Sequence, residues 1–94
     1  MDWEITVDQD FPDARIMTGD QVVLNDETVP GNVHFIRLVS VGEVQFRRVR
    51  FDVREGYTIL SPVIPIPGER ADLTYPSELV HIIGRVIVVK REYR

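Results

Sequence analysis

The chain contains no cysteine, a single lysine, a single tryptophan and only two histidines in 94 residues. The lack of cysteine excludes disulfides, thiolate metal sites and cysteine nucleophiles, and it is typical of a cytoplasmic protein. His34 and His81 lie far apart with no ligand spacing around either, so no metal site is expected. There is no Gly-rich phosphate loop, and we therefore expect no cofactor. No apolar run approaches the ~20 residues of a membrane span.

The composition indicates one small globular domain over residues 1–94. Hydrophobic residues make up 44% of the chain and charged residues 28%, which are ordinary globular values. The net charge of −4 is unevenly spread, because residues 1–30 hold eight acids against Arg15 alone. Residues 43–54 and 85–94 are basic. We expect the acidic and basic parts to compensate each other within the fold or across a dimer.

Short apolar and alternating runs separated by turn residues predict a mainly β protein. Residues 33–39 and 43–52 flank Gly42 and predict a hairpin. Residues 13–17 allow one helical turn at most, and the prolines of 61–70 predict a loop outside the ladder. We expect a single domain of hairpins forming a sheet or a partly open barrel. The predicted strands are 3–7, 21–24, 33–39, 43–52 and 57–60, followed by 79–83 and 85–90, which form one or two strands bent at Gly84.

Several segments in the same order carry a resemblance to a known family. They are Asp10–Asp20 with the strand after it, Glu43–Val49, Tyr57–Pro62 and Ile82–Ile87. Together they resemble the signature of the LexA-, UmuD- and phage-repressor-type self-cleaving Ser-Lys peptidases, over about residues 3–91. The resemblance implies the sheet of a LexA C-terminal domain.

The two positions that carry the chemistry of that family are replaced. The nucleophilic serine falls on Phe11 and the general-base lysine on Arg47. Phe11 has no nucleophile, and a guanidinium with a pKa above ~12 does not act as a base. The resemblance therefore implies no catalytic residue and no peptidase activity. We expect Phe11 and Arg47 to face each other, with the ring on the guanidinium or its alkyl stem.

Besides self-cleavage, members of this family self-associate as part of a transcriptional regulator. The resemblance implies that this second role remains when the catalytic residues are replaced. DNA would then be bound only through a helix-turn-helix domain, which this sequence does not contain. We expect a homodimer, without a membrane or small-molecule partner. An alternative for its apolar C-terminal run is a central strand buried on both faces. The candidate interface residues are Val86, Ile87, Val88, Val89 and Lys90.

Two other classes of function stay open from the residues. One is an active hydrolase with an unrecognised site, for which Ser61 and Lys90 at strand ends are the residues to consider. The other is a small β-barrel module that binds a peptide or nucleic acid through the Arg47-Arg48-Arg50 strand. The absence of interleaved aromatic residues disfavours single-stranded nucleic acid as its ligand.

Overall fold

The computed structural model describes residues 1–65, 67–68 and 72–91. Its regular structure is almost entirely β, which confirms the predicted class. Two short 3₁₀ turns, Pro12–Ala14 and Ser77–Leu79, are the helical elements of the described residues. The seven strands are β1 (Asp2–Thr6), β2 (Gln21–Asn25), β3 (Val33–Leu38), β4 (Glu43–Phe51), β5 (Tyr57–Ser61), β6 (Leu73–Pro76) and β7 (Val80–Lys90).

All seven strands belong to one antiparallel sheet with the order β1-β2-β7-β3-β4-β5-β6. Consecutive strands pair in β1–β2, β3–β4, β4–β5 and β5–β6, whereas β2 and β3 are separated by β7, which inserts between them. Within the described residues β1 and β6 remain as edges, so the sheet is not closed into a barrel. Of the two predicted forms, a sheet and a partly open barrel, the structure adopts the sheet.

The β3–β4 hairpin shows how turn chemistry sets the register. Gly42 has a φ of 68°, in the left-handed region that glycine adopts without steric cost. Its backbone N–H donates to the carbonyl of Leu38 at 2.8 Å, which closes the turn. The register places Leu38 opposite Glu43 and Phe35 opposite Phe46. The predicted hairpin is confirmed.

The sheet carries a hydrophobic cluster on each face. Side chains alternate along β4, so Phe46 and Val49 point to opposite faces. The Phe46 face is covered by the segment between β1 and β2. On the Val49 face, side chains of β3, β4 and β5 form the cluster, and partly buried side chains of β6 and β7 pack beside them. The first cluster is Val7, Ile16, Val22, Leu24 and Phe46, and the second is Ile36, Leu38, Val49 and Leu60.

The C-terminal run, predicted as one or two strands, is one strand, β7, that changes partner near Gly84. It pairs with β3 through residues 80–85 and with β2 through residues 85–90, with a register shift in each ladder. Gly84 is needed for close packing, because an added Cβ would lie 2.9 Å from the carbonyl oxygen of Asn25 and 3.0 Å from the ring of Trp3. The predicted bend is therefore a close approach between β7 and β2 within a continuous strand.

Two details differ from the prediction. The helical turn lies at Pro12–Ala14 and ends on Arg15, whose φ is 55°. β6 was not expected, because its four residues end in Pro76 and show no run of apolar side chains. Pairing with β5 rather than local propensity makes it a strand. The predicted loop 61–70 falls partly outside the described residues.

Candidate functional site

A cavity of about 270 Å³ lies beside the first half of β4. β3 pairs with β4 through residues 43–48, whereas β5 pairs only with residues 48–51. Residues 43–47 therefore have a described strand on one side only, and the cavity occupies the other side. Its walls are 9–14, 43–47, Pro62 and Val63. This cavity holds both positions at which the family resemblance would place catalytic groups, Phe11 and Arg47.

Phe11 fills part of this region with a phenyl ring. The ring contacts Phe46 edge-to-face with 4.9 Å between centroids, and Phe35 at 6.4 Å. The backbone N–H of Phe11 donates to the carbonyl of Ile16 at 2.7 Å. This bridge forms because the Pro12–Ala14 turn and the left-handed Arg15 reverse the chain. Phe11 is thus a packing residue at the edge of the first cluster.

Arg47 lines the same cavity but makes a different contact. Its Nε donates to Oε1 of Gln45 at 3.0 Å. Among the described residues the one cation–π contact is Arg54 over Tyr57, at 4.7 Å from the ring centroid. The expected contact between the Arg47 guanidinium and the Phe11 ring is therefore wrong. The reason is the alternation of side chains along β4. The Phe11 ring packs on the face that carries Phe46, and Arg47 points to the other face.

Two aspartates hold the connection between β1 and β2 in shape, and one of them, Asp10, lines the cavity. Asp10 accepts from the backbone N–H of Thr18 at 2.9 Å and from its hydroxyl at 2.7 Å, and these bonds lower the pKa of its carboxyl. Asp20, which is buried, accepts from Arg91 at 2.9 and 2.8 Å and from the N–H of Met17. The Arg91 bonds, with the Met17 bond second, lower the pKa of Asp20 to about 2. Both carboxylates are used structurally.

The structure does not bring together the Ser-Lys pair considered from the sequence. Lys90 lies on β7, where its ammonium is 3.6 Å from Glu4. Ser61 lies at the end of β5, with β3 and β4 between it and β7 in the sheet. Ser61 lies beside Asp72 and, with Arg50 second, lowers the pKa of that carboxyl. Ser61 and Lys90 therefore have separate structural partners.

The three arginines of β4 do not form a continuous basic row. Arg47 points to one face and Arg48 and Arg50 to the other. Arg48 donates to the carbonyls of Val63 and Gly31 at 3.0 and 3.1 Å. Arg50 is ion-paired with Asp72 at 2.7 Å. The guanidinium groups of Arg48 and Arg50 are thus engaged within the chain.

The C-terminal half of β7 is the second feature of interest. Val86 is half-buried, but Ile87 and Val88 are each 44% exposed and Val89 37%. The alternative of a strand buried on both faces is therefore wrong for Ile87–Val89. A groove of about 610 Å³ runs along this half-strand. Its other walls are 14–16, 32–33, Arg48 and Val63.

The uneven charge is balanced within the fold at the β1–β2–β7 side of the sheet. Four ion pairs join the acidic N-terminal part to basic groups, three of them on or directly after β7. This confirms compensation within one chain. The pairs are Met1 with Asp26, Arg85 with Glu27, Lys90 with Glu4 and Arg91 with Asp20.

Sequence reasoning missed that Pro62 and Val63 line the cavity and that the carbonyl of Val63 accepts from Arg48. The available signal was the proline, since Pro62 has no N–H and ends the β5 ladder opposite Arg48.

No three described histidines, cysteines or acids are grouped so that they could hold a metal ion. Over the described residues, no helix is long and apolar enough to span a membrane. No protein-family model and no curated protein matches the chain.

Proposed function

We propose that this chain is a catalytically inactive domain of the LexA and phage-repressor type, which self-associates as the dimerisation and regulatory module of a transcriptional regulator. Two features support the proposal. A phenyl ring and a guanidinium line the cavity at the positions of the family's nucleophile and base. A half-strand with exposed apolar side chains lies elsewhere on the sheet.

The exposed half of β7 is the observation that carries the proposal. β3 pairs with β7 only as far as Arg85, opposite His34. Beyond that point, residues 86–90 have β2 on one side and no described strand on the other. An open strand edge presents backbone donors and acceptors that another strand can satisfy. Adjacent exposed Ile and Val side chains supply apolar area for the same contact.

A second copy of the chain is the occupant that fits this edge. A two-fold axis beside β7 aligns two identical edges in antiparallel orientation, and each copy contributes the same residues. Lys90, the charged residue at the end of this edge, is ion-paired with Glu4 of its own chain. Pairing two edges thus does not require two unpartnered ammonium groups to approach each other.

The absence of peptidase chemistry rests on the groups at the cavity. Phe11 offers no hydroxyl, and a guanidinium donates hydrogen bonds but does not act as a general base. The hydrolase and nucleic-acid alternatives have less support, because Ser61, Lys90, Arg48 and Arg50 all have partners within the chain.

Analytical ultracentrifugation with two matched variants tests the proposal. Val88→Glu places a charge in the exposed half-strand, and Val53→Glu places the same charge in the β4–β5 turn, where Val53 is fully exposed. We expect the unmodified chain and Val53→Glu to be dimers at about 50 μM, and Val88→Glu to be a monomer. A monomeric unmodified chain, or a Val88→Glu variant that still dimerises, would contradict the proposal.

A further inference from the structure

His34 is a fully buried histidine at the start of β3, and both of its ring nitrogens are engaged. Nδ1 lies 2.8 Å from the carbonyl oxygen of Asn32, and Nε2 lies 3.2 Å from the backbone nitrogen of Val29. A carbonyl only accepts and a backbone N–H only donates. The ring is therefore neutral, with its proton on Nδ1 and an acceptor at Nε2.

These two bonds clamp the connection between β2 and β3. Within it, the N–H of Asn32 also donates to the carbonyl of Val29 at 3.1 Å. A second proton on the ring would sit on Nε2 and point at the N–H of Val29, so that two donors would face each other. The charged ring is incompatible with the clamped connection.

The surroundings of His34 oppose its protonation. In the sheet it lies between Arg85 of β7 and Arg47 of β4. The two acids of the connection have other partners: Asp26 lies 3.5 Å from the N-terminal ammonium, and Glu27 lies 3.5 Å from Arg85. Burial, with a smaller contribution from Arg85, lowers the pKa of His34 below its ordinary value, against a raising effect of the Asn32 bond.

The clamped connection also forms part of the groove beside the exposed half of β7. Asn32 and Val33 line that groove together with Val86–Val89. Arg85, the sheet neighbour of His34, directly precedes the half-strand. A change in the connection therefore alters the wall against which a second copy would dock.

We propose that His34 is a pH-sensitive latch: its protonation releases the β2–β3 connection and weakens self-association through the β7 edge. The second half of this statement rests on the proposed function, whereas the latch itself is a property of one chain. If only copies with a neutral His34 ring associate, about a tenth of the copies can associate at one pH unit below the midpoint of the His34 titration. The dimer Kd then rises about 100-fold.

The test follows the isotope-labelled full chain by NMR and sedimentation from pH 7.5 to pH 5. His34→Gln removes the titration and keeps an acceptor and a donor, and His81→Gln is the control at an exposed histidine of β7. In the unmodified chain and in His81→Gln we expect the Nδ1–H tautomer at pH 7.5. We also expect the Val29 amide resonance to shift at the pH at which the His34 ring titrates. The dimer Kd should rise over the same pH range. In His34→Gln both should be independent of pH.

A Val29 amide that ignores the ring titration would overturn the latch. A Val29 amide that follows the ring while Kd stays constant would overturn the coupling to association. A chain that is monomeric at every pH would overturn the proposed function, while Val29 would still decide on the latch. Should His34→Gln fail to fold, the unmodified chain and His81→Gln supply the same Val29 test.

Discussion

Replacing Phe11 by alanine tests whether the cavity beside β4 is a packing site. The change removes the ring that contacts Phe46 and Phe35. Fully buried Phe→Ala substitutions cost about 3–5 kcal/mol. Phe11 is half-buried, so we take about half of this value, or about 2 kcal/mol. The better of its two edge-to-face contacts adds about 0.5–1 kcal/mol. The free energy of unfolding should fall by about 2–3 kcal/mol.

Phe51→Ala is the matched control, because Phe51 is 51% exposed on β4 and has no ring partner among the described residues. We expect it to cost less than about 1 kcal/mol. Urea unfolding followed by circular dichroism measures both variants, and unchanged m-values show that the unfolded state is comparable. A cost below about 1 kcal/mol for Phe11→Ala, or one equal to that of Phe51→Ala, would refute the packing argument.

Three further predictions concern other parts of the molecule. Gly84→Ala should lower the free energy of unfolding by about 2 kcal/mol or more, measured by thermal unfolding, because its Cβ would meet the carbonyl of Asn25 at 2.9 Å. Asp20→Asn should cost about 1–2 kcal/mol at pH 7, a value discounted because Arg91 is 44% exposed. Since the pKa of Asp20 falls from 3.8 to about 2, this contribution is present above pH ~4 and is lost as the pH drops towards 2, so urea titrations should show the two proteins converging there. The unmodified chain should show no self-cleavage product by mass spectrometry after incubation at alkaline pH, because Phe11 offers no nucleophile; a discrete product would contradict this.

Most of the strands could be predicted from sequence because their signals are local. The alternation of β1 and β4 and the turn at Gly42 depend on neighbouring residues alone. β6 could not be predicted in this way, because it is a strand through its pairing with β5. The insertion of β7 between β2 and β3 is likewise a long-range property, and no turn residue predicts it.

The side-chain geometry of the candidate site could not be predicted from the sequence. The resemblance led us to expect Phe11 and Arg47 to face each other, and both line the cavity beside β4. It did not show that Phe11 packs on the Phe46 face while Arg47 points away, because the path of the 9–14 segment over the sheet depends on the Arg15 turn. The two bonds of His34 join it to residues two and five positions earlier, but they depend on the path of the β2–β3 connection, which no sequence pattern predicts.

Self-association through the exposed half of β7 is the central claim, and intermolecular nuclear Overhauser effects test it most directly. The sample is an equimolar mixture of isotope-labelled and unlabelled full chains, with filtering for contacts between copies. We predict intermolecular contacts from the methyl groups of Ile87, Val88 and Val89. Val39 and Val41, which are 54% and 67% exposed in the β3–β4 turn, should show none. Intermolecular contacts confined to Val39 and Val41, or a complete lack of them, would contradict the account.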